Sequence, residues 1–193
     1  MLKALIKSSL RVIATLLVLP CVLSHRIFSI LSSPDLSLES HSQLFALVPG
    51  KTGNLLRVAF YRRTLEHCDP TATICFGSLF SKTGASIGKH VYVGPYCQLG
   101  LVTLEDDVLI GPSVHIPSGA RTHNFTSLDV PFRLQGGIRQ RLTVSKNCWI
   151  GASAIILTNI QEGTVIAAGS VVTRTPDPTS LNAGIPSKKI RDL

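Results

Sequence analysis

The sequence predicts an all-β fold, a parallel β-helix of six-residue repeats that follows an N-terminal helical segment. An aliphatic residue recurs at every sixth position from Ile87 onward, a period that fits neither a strand nor a helix. Glycine often follows that residue, and aromatic residues make up only 6% of the chain although 45% of it is apolar. Six residues provide one short strand and one turn, so three units complete a triangular coil. Stacked coils bury an aliphatic column that needs few aromatic side chains.

Length and composition restrict the function classes. The 193 residues suffice for one domain with a modest appendage. An apolar fraction of 45% against 16% charged residues, with 15 glycines and 11 prolines, argues against disorder, a coiled coil or a collagen-like fibre. The formal charge of +8 indicates an anionic partner such as phosphates or lipid headgroups. Five widely spaced cysteines without a CxxC pair argue against a disulfide framework or a structural metal, and favour a reducing compartment.

Residues 1–31 form the first predicted segment, an apolar and basic helix associated with a membrane. Lys3, Lys7, Arg11 and Arg26 contribute +4 and no acid accompanies them, while the apolar run VIATLLVLPCVLS is shorter than the roughly 20 residues of a spanning helix. We expect a membrane-inserted or re-entrant helix that is broken near Pro20, with its basic residues at the headgroups of the cytoplasmic face. A cleaved signal peptide and an ordinary buried helix remain as alternatives.

The rest of the chain divides into a connector with short helices, residues 32–71, and the β-helix, residues 72–193. The repeated aliphatic positions continue to Val172, with a step of five before Leu104 and a step of four before Ile160. A second stripe of small or apolar residues lies two positions ahead and includes Cys97 and Cys148, which we therefore interpret as core residues. A loop at 117–143 interrupts the repeat, and a C-terminal tail occupies 176–193.

The repeats resemble the hexapeptide-repeat acyltransferases, whose fold is a left-handed parallel β-helix. The stretches NCWIGASAIIL, VIAAGSVVTRT and AGIPSKKIR are similar to the C-terminal signature of the branch that acetylates sugars and xenobiotics. The upstream segments LVPGKTGNLLRVAFYRRTL and ICFGSLFS also resemble members of the family that carry an N-terminal apolar helix. The resemblance implies an enzyme, an acetyl-CoA-dependent acetyltransferase, and a homotrimer with its active site between neighbouring coil stacks.

The interrupting loop is where the chemistry is expected, because loops on a rigid scaffold carry function. THNFTSLDVPF followed by QGG resembles the family's active-site loop, and the resemblance makes His123 the general base. A neutral imidazole that takes a proton from the attacking hydroxyl, with a donor for the oxyanion, suffices for direct transfer from a thioester. Glu105, Asp106 and Asp107 lie about one coil upstream and are candidates to orient His123, but a solvated acidic turn is an equal alternative.

Further residues follow from the same resemblance. Ala152, Ala168 and Thr173 are expected to line the pantetheine groove of acetyl-CoA, and Arg174 and Arg191 to approach its phosphates. A solvated basic tail is the alternative for the arginines. His90, His115 and His123 raise the possibility of the zinc site found in a carbonic-anhydrase branch of the fold. Their separations of 25 and 8 residues do not fit one coil, so no metal is expected.

The leading hypothesis is therefore a saccharide O-acetyltransferase of polysaccharide or glycolipid biosynthesis. Its acceptor is a saccharide or a lipid-linked saccharide, it has no nucleic-acid partner, and it works at the cytoplasmic face of the plasma membrane, where acetyl-CoA is available. Acetylation of an antibiotic hydroxyl is a second enzymatic hypothesis. The predicted membrane segment argues against it, because an enzyme that acts on a soluble drug does not need to be at a membrane. A non-catalytic β-helix scaffold is a third hypothesis, and the histidine in the long loop disfavours it.

Overall fold

A computed structural model describes the backbone of residues 2–193 and the side chains of residues 7–193. The headgroup role predicted for the Lys3 side chain lies outside the described residues. Three helices come first, α1 (Leu2–Leu31), α2 (Pro34–Ala46) and α3 (Gly50–Thr64). The strands of the described chain then follow in order: β1 (His67–Cys68), β2 (Thr73–Ile74), β3 (Leu79–Phe80), β4 (Ser86–Ile87), β5 (Tyr92–Val93), β6 (Gln98–Leu99), β7 (Val102–Leu104), β8 (Leu109–Ile110), β9 (His115–Ile116), β10 (Leu142–Val144), β11 (Trp149–Ile150), β12 (Ile155–Ile156), β13 (Val165–Ile166), β14 (Val171–Val172), β15 (Ser180–Gly184) and β16 (Ser187–Asp192).

The strands form three sheets, which are the three faces of a triangular prism, and all strands are parallel except β16, which is added to the end of face B as an antiparallel strand. Face A contains β1, β4, β7 and β10, face B contains β2, β5, β8, β11, β13 and β15, and face C contains β3, β6, β9, β12 and β14. The chain visits A, B and C in turn, so each strand pairs with the strand one coil later. The predicted parallel β-helix of hexapeptide repeats is confirmed.

One column of buried side chains runs down the inside of each face. The second residue of most strands points inward and is essentially inaccessible, as Ile74, Ile110 and Ile156 illustrate. The small residues two positions ahead are buried as well, and Cys97 and Cys148 are among them, as predicted. The columns begin with Cys68, Ile74 and Phe80, which already lie at six-residue spacing. The first coil therefore starts at β1, earlier than the predicted residue 72, because the repeat extends upstream of Ile87.

The three corners of the prism differ. The A-to-B and B-to-C corners are tight turns of constant length, and all of them except the first A-to-B turn include a residue in the left-handed region, for example Asp107 and Ser113. Every irregularity of the repeat falls at the C-to-A corner, which includes the short steps before Leu104 and Ile160 and the long loop after Ile116. A tight turn must keep its hydrogen bonds to the turns above and below, whereas the C-to-A corner accepts insertions and deletions.

The helices cover the open end of the first coil. Strand edges in this coil have peptide groups without a neighbouring strand, which would be costly if buried unpaired. Asn54 accepts a hydrogen bond from the Ile74 amide through its side chain (2.7 Å), and the buried Arg57 Nε donates to the Ile74 carbonyl (2.8 Å). The Ser42 hydroxyl donates to the Phe80 carbonyl (2.8 Å). The segment predicted as a connector is thus a cap that is hydrogen-bonded to the β-helix.

Helix α1 is continuous through Pro20, so the predicted break near this residue is wrong. Pro20 has no amide hydrogen to donate to the Leu16 carbonyl, so the helix lacks one hydrogen bond there, but the helical conformation continues on both sides of this exposed residue. One face of α1 buries Ala14, Val18 and Val22. On the opposite face, large apolar side chains are exposed. The region from Lys7 to Leu31 is long and apolar enough to cross a membrane.

The C-terminal tail closes the other end of the prism. β15 continues face B, and β16 folds back on β15 as an antiparallel strand. The sequence analysis assigned residues 176–193 only as a C-terminal tail, and the structure shows that this tail forms a final pair of strands.

Candidate active site

The long loop leaves the prism between β9 and β10, at the C-to-A corner. Its last residues rejoin the repeat earlier than predicted, because Leu142 and Thr143 already pair with Val102 and Thr103 in face A. The projecting part is thus 117–141. The Ser118 carbonyl accepts from the Gln140 amide (2.8 Å), which holds the two ends of the loop together.

Gln135 organises the interior of the loop. Its side-chain oxygen accepts hydrogen bonds from the Thr126 amide (3.0 Å) and the Ser127 amide (3.2 Å). Its side-chain nitrogen donates to the carbonyls of Ser127 and Val130, both at 2.7 Å. One side chain thus joins the outgoing and returning halves. In the sequence, QGG stands out only as part of the family resemblance, and nothing there assigns this role to Gln135.

His123 lies near the base of the outgoing half, with an exposed side chain. Backbone hydrogen bonds across the loop flank it on both sides: the Asn124 amide donates to the Gly136 carbonyl (2.9 Å), and the Ile138 amide donates to the Arg121 carbonyl (2.8 Å). The backbone position of His123 is therefore fixed, while its imidazole is open to solvent and to a substrate.

The acidic turn considered as an orienting group for His123 lies at another corner. Residues 105–107 connect face A to face B, whereas the loop connects face C to face A. Asp107 pairs with His90 (3.1 Å), Asp106 accepts from the Lys89 amide (2.7 Å), and Glu105 accepts from the Lys146 amide (3.0 Å). Counting one coil upstream located the right level of the prism but not the right corner, and the acids accept hydrogen bonds from neighbouring turns there.

The five residues assigned to acetyl-CoA are distributed over three places. Ala152 and Ala168 stack one coil apart at the B-to-C corner, the first half-buried and the second exposed. Thr173 and Arg174 follow β14 and lie exposed at the C-to-A corner, the corner from which the loop projects. Arg191 lies in β16 opposite Leu181, on face B. Face C separates the two alanines from Thr173 and Arg174, and Arg191 lies apart from both pairs.

The three histidines considered for zinc are held in different settings. His90 is in the A-to-B turn with Asp107, His115 points outward from face C, and His123 is in the loop. Among the side chains of residues 7–193, no group of three or more His, Cys, Asp or Glu residues is arranged to hold a metal ion.

The tip of the loop is unusually apolar for an exposed segment. Phe125 is 77% exposed and Leu128 is 93% exposed, and Phe132, Leu134 and Ile138 are also more than half exposed. Scattered apolar residues are ordinary on protein surfaces, but a cluster on one projecting loop indicates a surface that meets a partner or a ligand.

Comparisons with known proteins agree with this architecture. Residues 141–174, which span β10 to β14, match the family model described as the hexapeptide repeat of succinyl-transferase. The galactoside O-acetyltransferase of Escherichia coli is 31% identical over 121 residues, which cover 56% of this chain and 57% of that protein. The chain spans a little over half the length of this curated relative.

Two solved structures share the fold. A hexapeptide-repeat-containing acetyltransferase from Vibrio cholerae superposes with a TM-score of 0.60 and 23% identity, covering 84% of this chain and 94% of that one. A variant of AntD, an N-acyltransferase from Bacillus cereus in complex with dTDP-4-amino-4,6-dideoxyglucose and coenzyme A, gives a TM-score of 0.55 and 20% identity, covering 63% and 69%. The chain is therefore a hexapeptide-repeat β-helix protein with the fold of these acyltransferases.

Proposed function

We propose that the chain is an acetyl-CoA-dependent O-acetyltransferase whose acceptor is a saccharide hydroxyl. The observation that carries the proposal is the position of His123, which the loop holds exposed above the one corner of the prism that accepts insertions. The similarity to a galactoside O-acetyltransferase supports a sugar acceptor, and the coenzyme A bound to AntD supports the acyl donor.

The proposed reaction needs one proton carrier. The neutral His123 imidazole takes the proton of the acceptor hydroxyl while the hydroxyl oxygen attacks the thioester carbonyl of acetyl-CoA. The tetrahedral intermediate collapses, the carbon–sulfur bond breaks, and the departing sulfur receives the proton from the imidazolium. The products are the acetyl ester and free coenzyme A, and no covalent enzyme intermediate is required.

The acetyl donor is proposed to bind along the residues named from the sequence. Ala152 and Ala168 present small side chains one above the other, which leaves the backbone of the B-to-C corner accessible to an extended pantetheine arm. Thr173 and Arg174 lie at the corner of the loop. Because Arg191 lies on face B, away from both pairs, its proposed contact with a phosphate requires the donor to extend to the end of the prism or to a neighbouring chain.

A homotrimer is part of the proposal. Tyr92, Leu109 and Trp149 form a ladder on the outer side of face B, in register and 39%, 42% and 52% exposed. Together with the apolar loop tip, this ladder is an exposed surface that a second copy of the chain would cover. Such packing would place the His123 loop of one chain beside the coil stack of the next.

The proposed location is the cytoplasmic face of a membrane, and the proposed acceptor is lipid-linked or polymerising saccharide. The exposed apolar face of α1 supports the location, because such a face is costly in water. Cytoplasmic placement follows from the proposed donor, since acetyl-CoA is a cytosolic metabolite.

The decisive experiment incubates the full chain in detergent with acetyl-CoA and a panel of glycans and follows the release of free thiol. We expect release that depends on both the protein and a saccharide, with a matching mass increase of one acetyl group on the glycan. Glycans that lack the responsive hydroxyl provide the matched control. Thiol release without glycan acetylation, or an acetylated amine in place of a hydroxyl, would contradict the proposal.

A further inference from the structure

A basic cavity lies between the N-terminal half of α1, helix α3 and the turn that leads into β2. Its volume is about 550 Å³, within the range of roughly 300 to 1,000 Å³ typical of small-molecule sites. Four of its lining residues are basic, Lys7 and Arg11 from α1 and Lys51 and Arg62 from α3. We name this feature the basic cavity.

The four cations face no carboxylate within the cavity. No Asp or Glu is among the lining residues, and neither α1 nor α3 contains an acidic residue. The ion pairs found among residues 7–193 involve other lysines and arginines, and the nearby Asp69 binds the amide and hydroxyl of Thr71. Four like charges around one space repel one another, so a bound anion would stabilise the arrangement.

The remaining lining is partly apolar and partly hydroxylic. Leu10, Leu55 and Val58 provide an apolar wall, and Thr73 provides a hydroxyl group on the side of the β-helix, whereas the hydroxyl of Thr71 donates to Asp69. Guanidinium groups and ammonium groups together are well suited to phosphate oxygens, the first as planar donor pairs and the second as compact charges. The cavity therefore combines donors for a phosphate with contact area for a hydrocarbon group.

The position of the cavity relates it to the exposed face of α1. Leu10 lines the cavity and is itself 44% exposed, and Val12 and Ile13 follow it on the outside of the helix. A phosphate held by Arg11 and Arg62 would thus have its hydrocarbon attachment beside an apolar helix surface. An amphiphilic ligand would contact both the basic cavity and the apolar surface of α1, whereas a purely polar anion would contact only the basic cavity.

The cavity is separate from the phosphate contacts proposed for acetyl-CoA. It lies at the first coil, whereas Arg174 follows β14, four coils further along face C. With strands ~4.8 Å apart, this separation is about 19 Å along the prism axis. It also lies beside the A-to-B turn before β2, away from the C-to-A corner of the His123 loop.

We propose that the basic cavity binds the phosphate ester headgroup of a lipid, with the hydrocarbon part of the ligand against the apolar face of α1. The assignment goes beyond acetyl transfer and does not depend on it. Phosphate esters also occur as soluble metabolites, so the test distinguishes a lipid source from a soluble one.

The experiment measures binding of fluorescent phosphatidic acid to the full chain in dodecyl maltoside micelles. We expect saturable binding that unlabelled phosphatidic acid displaces, that monoacylglycerol does not displace, and that glycerol 3-phosphate displaces at least 10-fold less well. Equal displacement by glycerol 3-phosphate would make the ligand a soluble phosphate ester and overturn the lipid assignment. Binding that does not saturate would overturn the site itself.

A matched pair of double variants locates the binding. R11Q with R62Q removes two cavity charges and is expected to weaken binding at least 10-fold. R26Q with R63Q removes two charges from the same helices, but these residues line a separate groove beside Leu19 and Leu23, and binding should change less than 2-fold. Equal losses in both would show nonspecific charge attraction and refute the proposal. Lys51 is exposed, so K51Q, expected to weaken binding about 3-fold, serves as a variant with little effect on folding.

Discussion

Gly137 packs directly against the backbone of His123. A Cβ atom on Gly137 would lie 2.7 Å from the His123 amide nitrogen and would overlap the carbonyl of Thr122. Real side chains essentially never approach backbone this closely, so the returning half of the loop can pass beside the histidine only with glycine at this position. Position 137 therefore controls how closely the two halves of the loop approach at the proposed base.

The first prediction concerns this contact. Gly137→Ala should lower turnover by roughly 10- to 100-fold, because even a 1 Å displacement of a catalytic group is costly. Thermal stability should change little, since the loop projects from the prism. Gly136→Ala is the matched control: Gly136 has a φ of +68°, but a Cβ atom there would meet nothing within 4 Å, so only the backbone conformation is strained. Equal activity losses in the two variants would contradict a specific role for the Gly137–His123 contact.

The second prediction tests the base. His123→Ala should lower turnover by roughly 10²- to 10⁴-fold, the usual contribution of a general base, while acetyl-CoA affinity and the melting temperature remain near those of the parent. His90→Ala is the control, because His90 pairs with Asp107 at another corner and should affect activity little. Near-normal turnover of His123→Ala would require a different base, and failure to fold would make His123 structural.

The third prediction is the assembly state. The detergent-solubilised chain should sediment as three copies, because the loop tip and the ladder of face B leave apolar side chains exposed in one copy. Trp149→Asp should shift the species toward one copy, since a buried, unpaired carboxylate opposes association. Lys188→Asp, in the exposed C-terminal strand, is the control and should leave the assembly unchanged. A stable monomer that is fully active would refute the shared active site.

The fourth prediction follows from the buried thiols. Burial raises the pKa of Cys68 to about 12 and that of Cys148 to about 11, and it also raises the pKa of Cys97. At pH 8 only about a thousandth of a thiol with a pKa near 11 is thiolate, the reactive form. Brief treatment of the native protein with iodoacetamide should therefore leave these three cysteines unmodified, as mass spectrometry of peptides would show.

The same shifts determine a pH dependence. A thiol whose folded pKa is raised keeps its proton after the unfolded chain has lost it, so its stabilising contribution is present at neutral pH and declines from about pH 9 upward. Urea unfolding at pH 8 and pH 10 should show the lower free energy of unfolding at pH 10. For the iodoacetamide experiment, the control is the same treatment of protein unfolded in urea, in which all five cysteines should react. Rapid native labelling of Cys148 would contradict its place in the core.

The sequence was sufficient for the fold because two residues in each unit of six, an aliphatic residue and a small residue two positions ahead of it, form the core. Ile110, Ile150 and Ile166 could be assigned to one column by counting alone, and they do stack on face B. The corner from which the active-site loop projects could also be predicted, since every irregular step of the repeat falls at that corner. The helical cap could not be predicted, because Asn54 and Arg57 contact the first coil through hydrogen bonds between segments that share no sequence period. The acids at 105–107 lie in the regular repeat, but His123 lies in the non-repeating loop, so counting one coil back from His123 led to the wrong corner.

The fifth prediction concerns α1, whose exposed face carries eleven large apolar side chains between Leu10 and Leu31. Membranes washed with 1 M salt should retain the protein, because exposed charges are screened within about 3 Å at that ionic strength whereas apolar insertion is not. Deleting the helix is a poor test, because the loss of the buried residues Val18 and Val22 would expose the cap residues that pack against them. Point variants on the outer face avoid that problem.

Leu16→Ser, Leu17→Ser and Leu23→Ser together should release the folded protein from washed membranes, because each lost leucine removes roughly 1.5–3 kcal/mol of apolar burial. The matched control is Ile185→Ser, Ile190→Ser and Leu193→Ser, three exposed apolar residues at the opposite end of the prism, and it should stay in the pellet. Release of the parent by salt alone would show a purely electrostatic association. Recovery of a secreted chain that lacks about thirty N-terminal residues would instead show a signal peptide, and it would separate the enzyme from its acetyl donor.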